Sequence, residues 1–193
     1  MLARALALAL AATFFVTSCQ VLNRAPAATE GAQGRIVWPK DADLWVYDLD
    51  ARQQRKITNL PNSAAITGAA WSPDGKRIVY SQFWRRPNEN ASGADLFVSN
   101  ADGSNTQIFA SRDAANSVVE TPQWAPSGAV YFAMRHIQSG RESRQIMRKT
   151  EGGQAEVVVD GAYSPSISTD ESTLVYLKDT RAGQMLVKKN LAQ

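Results

Sequence analysis

The stretch Ala70-Trp71-Ser72-Pro73-Asp74-Gly75-Lys76-Arg77-Ile78-Val79-Tyr80 decides the fold class of this chain. It begins at a tryptophan, passes through Pro-Asp-Gly and ends in a short run of β-branched and aromatic residues. Proline fixes φ, aspartate hydrogen-bonds its own backbone, and glycine adopts positive φ, as a tight turn requires. A short apolar run of this composition after a turn is typical of a β-strand. The stretch therefore predicts a tight turn that leads into a strand.

The same pattern recurs twice further along the chain. Residues 123–132 repeat it, with a second tryptophan at Trp124, and residues 166–176 repeat it in a degenerate form. In this third copy Ile167 replaces the tryptophan, Thr169 the proline and Glu171 the glycine. Self-similarity at a regular spacing is the sequence signature of an architecture made of stacked units.

A second element follows each copy of the turn. Residues 95–98 (Asp-Leu-Phe-Val) match residues 43–46, 145–148 and, more weakly, 185–191, and a further strand is predicted at 106–110 and 155–159. No stretch shows a sustained helical period. Each unit of roughly 40–50 residues thus predicts about four short antiparallel strands. Because one such unit cannot bury both of its faces, the units must stack, and the predicted fold class is all-β.

The combination of Trp-Ser-Pro-Asp-Gly-Lys-x-Ile-Val-Tyr at 71–80 with Asp-Leu-Phe-Val at 95–98 resembles the repeat of TolB-like β-propellers, the WD40-like Pro-Asp repeat. The resemblance implies a β-propeller of TolB-like type with about three to four four-stranded blades. It indicates the fold and leaves the function open. The implied units are a partial blade at 35–58, blades at 64–110 and 117–159, and a partial blade at 161–193.

The number of units raises the question of completeness. TolB-like propellers usually have six blades, and propellers in general have roughly 4 to 8. An open arc of blades would leave strand edges unpaired. Three explanations remain open: a fragment of a longer protein, a small closed four-blade ring, or a dimer that completes the ring. Self-association is expected if the propeller is incomplete.

The first residues have the pattern of a targeting segment. Residues 5–16 are apolar apart from Thr13, and Val16-Thr17-Ser18-Cys19 resembles the bacterial lipobox. This resemblance implies a lipoprotein signal peptide at 1–18 and lipidation of Cys19. Acyl chains would anchor the protein to a membrane, since each buried methylene contributes about 0.8 kcal/mol. Residues 19–34 are rich in Ala, Thr, Gln and Gly and predict a flexible tether.

Three other interpretations of this segment stay open: a secretory signal without lipid, an uncleaved anchor, and an accidental apolar start of a cytosolic protein. The apolar run is shorter than the roughly 20 residues that a membrane span needs. Cys19 is the single cysteine, which excludes an internal disulfide framework, and lipidation would account for its thiol. The expected location is therefore the cell envelope, as a membrane-anchored lipoprotein on the periplasmic or extracellular side.

The sequence offers little for catalysis or cofactor binding. The single histidine, His136, is accompanied by no Gly-x-Ser-x-Gly elbow, Walker loop or dinucleotide fingerprint. One His and one lipidated Cys cannot fill a tetrahedral zinc shell. The net charge of +3, with scattered basic residues, gives no indication of nucleic acid as a partner. We expect no enzyme activity, no cofactor and no metal.

The repeated turn residues have structural interpretations. Asp74, Asp102 and Asp170 lie at turn positions and do not form an Asp-x-Asp-x-Asp calcium loop. Turn formation is therefore favoured over calcium binding. Trp71 and Trp124 recur at one register, which favours packing between blades over ligand stacking.

The loops that join the second and third strands of each unit carry basic residues, and equivalent propeller loops emerge on one face. This pattern predicts a basic rim with an exposed tryptophan, suited to an acidic partner or a polyanionic envelope polymer. The alternative is a set of ordinary solvated loops. The candidate rim residues are Trp84, Arg85 and Arg86 in one unit, Arg135, His136 and Arg141 in the next, and Arg181, with Lys178 beside it, in the last.

The favoured function is an extracytoplasmic, lipid-anchored, non-catalytic β-propeller that binds a protein or an envelope polymer through these loops. A second interpretation is the N-terminal propeller part of a prolyl-oligopeptidase-like serine peptidase whose catalytic domain lies outside this chain. A third is a structural scaffold of the envelope.

Overall fold

The computed structural model describes residues 34–191, and every regular element in that range is a β-strand. None of the described residues forms a helix long and apolar enough to cross a bilayer. The expected signal peptide, the lipid on Cys19 and nearly all of the tether lie outside the described residues.

The strands form four consecutive antiparallel units, within which each strand pairs with its neighbour in sequence, and a single parallel bridge between Ala94 and Val118 joins the second unit to the third. The first sheet contains β1 (Arg35–Lys40), β2 (Asp43–Asp48) and β3 (Gln53–Lys56). The second contains β4 (Ala65–Trp71), β5 (Arg77–Trp84), β6 (Gly93–Asn100) and β7 (Gln107–Ala110). The third contains β8 (Val118–Trp124), β9 (Val130–Gln138), β10 (Arg141–Lys149) and β11 (Glu156–Asp160). The fourth contains β12 (Ala162–Ile167), β13 (Thr173–Thr180) and β14 (Gly183–Asn190).

The repeated turn has the geometry that its residues predict. The backbone N–H of Ser72 donates to the carbonyl of Arg77 (2.9 Å), Gly75 has a φ of 65°, and the Ser72 hydroxyl donates to Asp74 (2.6 Å). The degenerate third copy keeps this turn, because Ser168 donates to Asp170 (2.6 Å) and Glu171 adopts a φ of 57° in the glycine position. The hydrogen bonds from the Ser168 hydroxyl and from the backbone N–H of Ser172 lower the pKa of Asp170 to about 2.

Three hydrophobic clusters fill the three interfaces between consecutive sheets. Trp71 packs against the cluster between the first and second sheets, Trp124 against the next, and Ile167 against the last. The tryptophan position of the repeat is thus a packing position, and Ile167 fills it where the tryptophan is lost. The buried members are Leu44, Val46, Ile66, Ile78 and Tyr80 in the first interface, Val79, Leu96, Val98, Phe109, Ala110, Val119, Val130, Phe132 and Met134 in the second, and Ala125, Ala129, Tyr131, Ile146, Ala162, Leu174 and Tyr176 in the third.

The architecture is that of a partial propeller, which confirms the all-β propeller prediction. By register, β1 and β2 of the first sheet correspond to β5 and β6 of the second, so the first sheet has no counterpart of β4 among the described residues. The fourth sheet likewise has no described counterpart of β7. Within residues 34–191 no cluster of buried residues joins the fourth sheet to the first, so the described sheets do not form a closed four-blade ring.

Candidate binding face

The predicted rim residues lie at one end of the strands. The strand β5 and its equivalents β1, β9 and β13 end there, β6 and its equivalents β2, β10 and β14 begin there, and the connections between sheets at 57–64 and 111–117 run across it. We call this end the loop face, and the end with the Pro-Asp-Gly turns the turn face. The loops that join these strands on the loop face are residues 41–42, 85–92, 139–140 and 181–182.

A buried ionic cluster holds the longest of these loops in place. Asp95 in β6 is fully buried and accepts hydrogen bonds from Arg86 Nη2 (2.6 Å), from Arg112 Nη1 (2.8 Å) and from the backbone N–H of Arg112 (2.7 Å). Arg112 is also buried, and its other amino group pairs with Glu89 in the loop. A buried charge is tolerated when it is paired and hydrogen-bonded, as each charge is here. The cluster joins loop 85–92 to connection 111–117.

The prediction that Trp84 is an exposed rim residue is wrong. Its indole N–H donates to Asp95 Oδ2 (2.7 Å), and its ring contacts Phe97 edge-on, with centroids 6.0 Å apart. The guanidinium of Arg112 lies over the same ring, 5.7 Å from its centroid. Trp84 is therefore half-buried by the ionic cluster, which the sequence pattern did not reveal. Arg86 belongs to the same cluster and is not free for a partner.

The rim residues of the third sheet are paired with acidic or amide groups as well. His136 Nδ1 lies 2.6 Å from Asp113 Oδ2, and its Nε2 lies 3.1 Å from Gln145 Oε1. Arg135 lies within 3.9 Å of Glu120 and 3.7 Å of Glu142. Acidic side chains thus alternate with the basic ones, and the rim is mixed in charge where the sequence predicted it to be basic.

Three of the predicted arginines remain accessible. Arg85, Arg141 and Arg181 are exposed, and the structure gives their side chains neither a hydrogen bond nor an ion pair among residues 34–191. Arg85 lies in loop 85–92, Arg141 is the first residue of β10, and Arg181 lies in the turn before β14. The loop face therefore presents one unpaired guanidinium on each of three consecutive sheets.

Two polar grooves flank the β9–β10 hairpin on this face. One, of about 650 Å³, lies between connection 111–117 and the hairpin and is lined by Asp113, His136, Arg141 and Gln145 among others. The other, of about 520 Å³, lies between the third and fourth sheets, and Arg144 and Lys178 contribute to its lining. Small-molecule sites of similar volume are mostly apolar, whereas these grooves are charged and open. Their chemistry fits an extended polar partner.

The residues that sequence reasoning missed are Asp95, Arg112 and Glu89. A signal for Asp95 was present in the sequence, because Asp43 and Asp95 occupy equivalent positions in β2 and β6. In the first sheet Asp43 accepts from the Thr58 hydroxyl (2.7 Å) and from the backbone N–H of Leu60 (2.8 Å). In these two sheets the recurring aspartate thus fastens β2 and β6 to the connections that lead to the next sheet.

The turn face carries the other aspartates that the sequence singled out. Asp74 and Asp102 accept hydrogen bonds from their own turns, from Ser72 and Ser104 respectively. Among residues 34–191 no group of three His, Cys, Asp or Glu side chains is arranged to hold a metal ion.

Comparison with family models finds no match. A local similarity links the chain to the Tol-Pal system protein TolB of Nitratidesulfovibrio vulgaris, with 46% identity over 41 residues. This segment covers 21% of the present chain and 9% of that TolB, so the chain matches only a small part of its curated relative.

Solved structures with a similar fold are propellers or propeller-containing proteins. The propeller domain of the Trilobed protease from Pyrococcus furiosus superposes with a TM-score of 0.55 at 14% identity, over 83% of this chain and 52% of that one. A prolyl endopeptidase gives 0.58 at 18% identity, over 83% and 27%. A chain of the nidogen–laminin complex gives 0.60 at 11% identity, over 80% and 56%. At these identities the comparisons show the fold alone, and the class they define is the β-propeller.

Proposed function

We propose that this protein is an extracytoplasmic, lipid-anchored, non-catalytic binding module that presents its loop face to an acidic protein or a polyanionic envelope polymer. The observation that carries the proposal is the set of three exposed arginines without acidic partners, Arg85, Arg141 and Arg181, on loops of three consecutive sheets. Rim charges of this kind raise association rates and set partner specificity.

The groups beneath these arginines support the proposal. The Asp95 cluster fixes the loop that contains Arg85, and the contacts of His136 with Asp113 and Gln145 link connection 111–117 to the hairpin that contains Arg141. A face held in one arrangement before binding loses less conformational entropy when a partner arrives. The acidic groups between the arginines would repel polyanions that do not match their spacing.

The envelope location rests on the N-terminal segment and on the local similarity to a Tol-Pal system protein. In this proposal residues 1–18 are the signal peptide, Cys19 carries the lipid, and residues 19–34 tether the blades at 35–193 to the membrane.

Reversal of the three arginine charges tests the proposal. The triple variant Arg85→Glu, Arg141→Glu, Arg181→Glu is expected to bind immobilised polyglutamate, a model acidic partner, at least about 10-fold more weakly than the unaltered chain. Binding of the unaltered chain is expected to weaken as the salt concentration rises, because salt screens the attraction between exposed charges. At physiological ionic strength this attraction is largely lost beyond a separation of about 8 Å. Surface plasmon resonance at two salt concentrations measures both effects.

The matched control reverses three positive charges toward the turn face, at Arg52, Lys76 and Lys188, which are exposed and whose side chains likewise have no hydrogen bond or ion pair among residues 34–191. This variant is expected to retain most of the binding. An equal loss in both variants would mean that net charge, and not the loop face, governs binding.

The second candidate is the propeller part of a serine peptidase. It is supported by similar folds in peptidases, among them the prolyl endopeptidase, of whose length the chain covers 27%. A Gly-x-Ser-x-Gly elbow in the coding frame beyond residue 193 would favour this candidate, and further Pro-Asp-Gly units there would favour the binding module.

A further inference from the structure

His136 in β9 lies between two acceptor groups on the loop face. Its Nδ1 is 2.6 Å from Oδ2 of Asp113, and its Nε2 is 3.1 Å from Oε1 of Gln145. Asp113 belongs to the connection between the second and third sheets, whereas Gln145 lies in β10. The imidazole therefore links connection 111–117 to the sheet that follows it.

The orientation of the Gln145 amide is fixed by a third group. Its Nε2 donates to Oδ1 of Asp160 in β11 (3.2 Å), and the opposite orientation would place the amide oxygen against this carboxylate. The amide oxygen therefore faces His136. Because a carboxylate and an amide oxygen accept hydrogen bonds and donate none, both nitrogens of the ring must carry a proton to bind both groups.

A neutral imidazole cannot make both contacts, because only one of its nitrogens carries a proton. With the proton on Nδ1, the lone pair of Nε2 faces the oxygen of Gln145. With the proton on Nε2, the lone pair of Nδ1 faces the carboxylate of Asp113 at 2.6 Å. Either tautomer of His136 thus loses one hydrogen bond, together with the attraction between imidazolium and carboxylate. Histidine is the side chain whose charge ordinarily changes between about pH 5 and pH 8.

The charges around the ring leave Asp113 as the group that pairs with it. Arg141 and Glu142 line the same groove as His136. Glu142 pairs with Arg144 (2.6 Å), and Arg141 is exposed, so that salt and solvent screen its repulsion of an imidazolium. Burial raises the pKa of the Asp113 carboxyl, but hydrogen bonds, among them one from His136, outweigh burial and hold that pKa below its ordinary value. Asp113 is therefore ionised throughout the range in which histidines exchange their proton.

We propose that His136 is a proton-operated latch on the loop face: as an imidazolium it fastens connection 111–117 to β9 and β10, and loss of its proton releases this connection. The effect extends along the connection, because the neighbouring Arg112 anchors loop 85–92. A latch of this kind makes the order of the loop face depend on the acidity of the surroundings. It consists of the chain's own residues and does not require the partner proposed above.

Amide hydrogen exchange of the full chain, at about pH 5.5 and about pH 8, tests the latch. The readout is the backbone N–H of Ser117, which donates to the carbonyl of Ala114 within the connection (3.0 Å). After correction for the intrinsic exchange rate, its protection is expected to be at least about 10-fold higher at the lower pH, since a hydrogen bond to a charged group is lost at the higher one. The turn at 72–77, on the turn face, is expected to be equally protected at both.

His136→Gln removes the titrating group and keeps a side chain that forms hydrogen bonds, so Ser117 is expected to be equally protected at both pH values. Asp113→Asn is expected to abolish most of the difference as well. The matched control is Asp179→Asn, which removes a carboxylate that is 62% exposed and pairs with Arg144. This variant is expected to retain the full difference.

Equal protection of Ser117 at both pH values in the unaltered chain would overturn the proposal. So would an unchanged pH dependence in His136→Gln, or its loss in Asp179→Asn. His136 is the single histidine of the chain, so every imidazole nitrogen signal in an NMR spectrum belongs to it, and a neutral ring at about pH 5.5 would also contradict the latch. Circular dichroism checks the fold, and Asp113→Asn carries the test if His136→Gln unfolds.

Discussion

Replacement of Asp95 by Asn is expected to lower the free energy of unfolding by about 3–5 kcal/mol. Asp95 is fully buried and is the common acceptor for Arg86, Arg112 and the indole N–H of Trp84. The amide keeps the shape of the side chain but leaves the buried Arg112 paired, among residues 34–191, with the carboxylate of Glu89 alone. Urea denaturation followed by tryptophan fluorescence measures the change.

The control for this prediction is Asp179→Asn. Asp179 also pairs with an arginine, Arg144 (3.3 Å), but its side chain is 62% exposed. Exposed ion pairs of this kind contribute about 0–1 kcal/mol, so this variant is expected to unfold near the midpoint of the unaltered chain. If Asp95→Asn were no more destabilising than Asp179→Asn, the ionic cluster would not be what fastens loop 85–92 to connection 111–117.

Phe132→Ala is expected to destabilise the chain by about 3–5 kcal/mol. Phe132 is fully buried in the cluster between the second and third sheets, so its removal leaves a cavity in the interface that joins the two halves of the described arc. Because each sheet in such a stack contacts only its neighbours, the packing of each interface contributes directly to the free energy of unfolding of the stack. Guanidinium denaturation of the variant and of the unaltered chain, under identical conditions, gives the difference in their free energies of unfolding.

Phe83→Ala provides the comparison, because Phe83 lies in the adjacent sheet but is 36% exposed. Its replacement is expected to cost less than about 1 kcal/mol. Equal costs for the two phenylalanines would contradict the packing of the second sheet on the third that defines the propeller.

The fold could be predicted from the sequence because its determinants are local and repeated. The turn at 72–77 depends on its own serine, aspartate and glycine, and the alternation of Ile78, Val79 and Tyr80 assigns a side to each residue of the strand. Even the third copy is predictable, since Ser168 and Asp170 keep the turn after the proline and glycine are lost.

The candidate site was predicted less well because its determinants are not local. Arg112 meets Asp95 across 17 positions of sequence, and which arginines are neutralised depends on this loop geometry. The pattern of basic residues therefore predicted that these residues share one end of the strands but did not separate Arg86, which is paired, from Arg85, which is not. The recurrence of Asp43 and Asp95 was the available signal for the cluster.

Site-specific photo-crosslinking tests the central claim, that partners bind at the loop face, most directly. A photoreactive residue is placed at 90 or 182 on the loop face, beside the proposed arginines, or at 52 or 76 on the turn face, in the full chain in its own envelope. The account predicts that positions 90 and 182 crosslink to one and the same partner, while positions 52 and 76 do not. Crosslinks to that partner from the turn face, or none from the loop face, would contradict it.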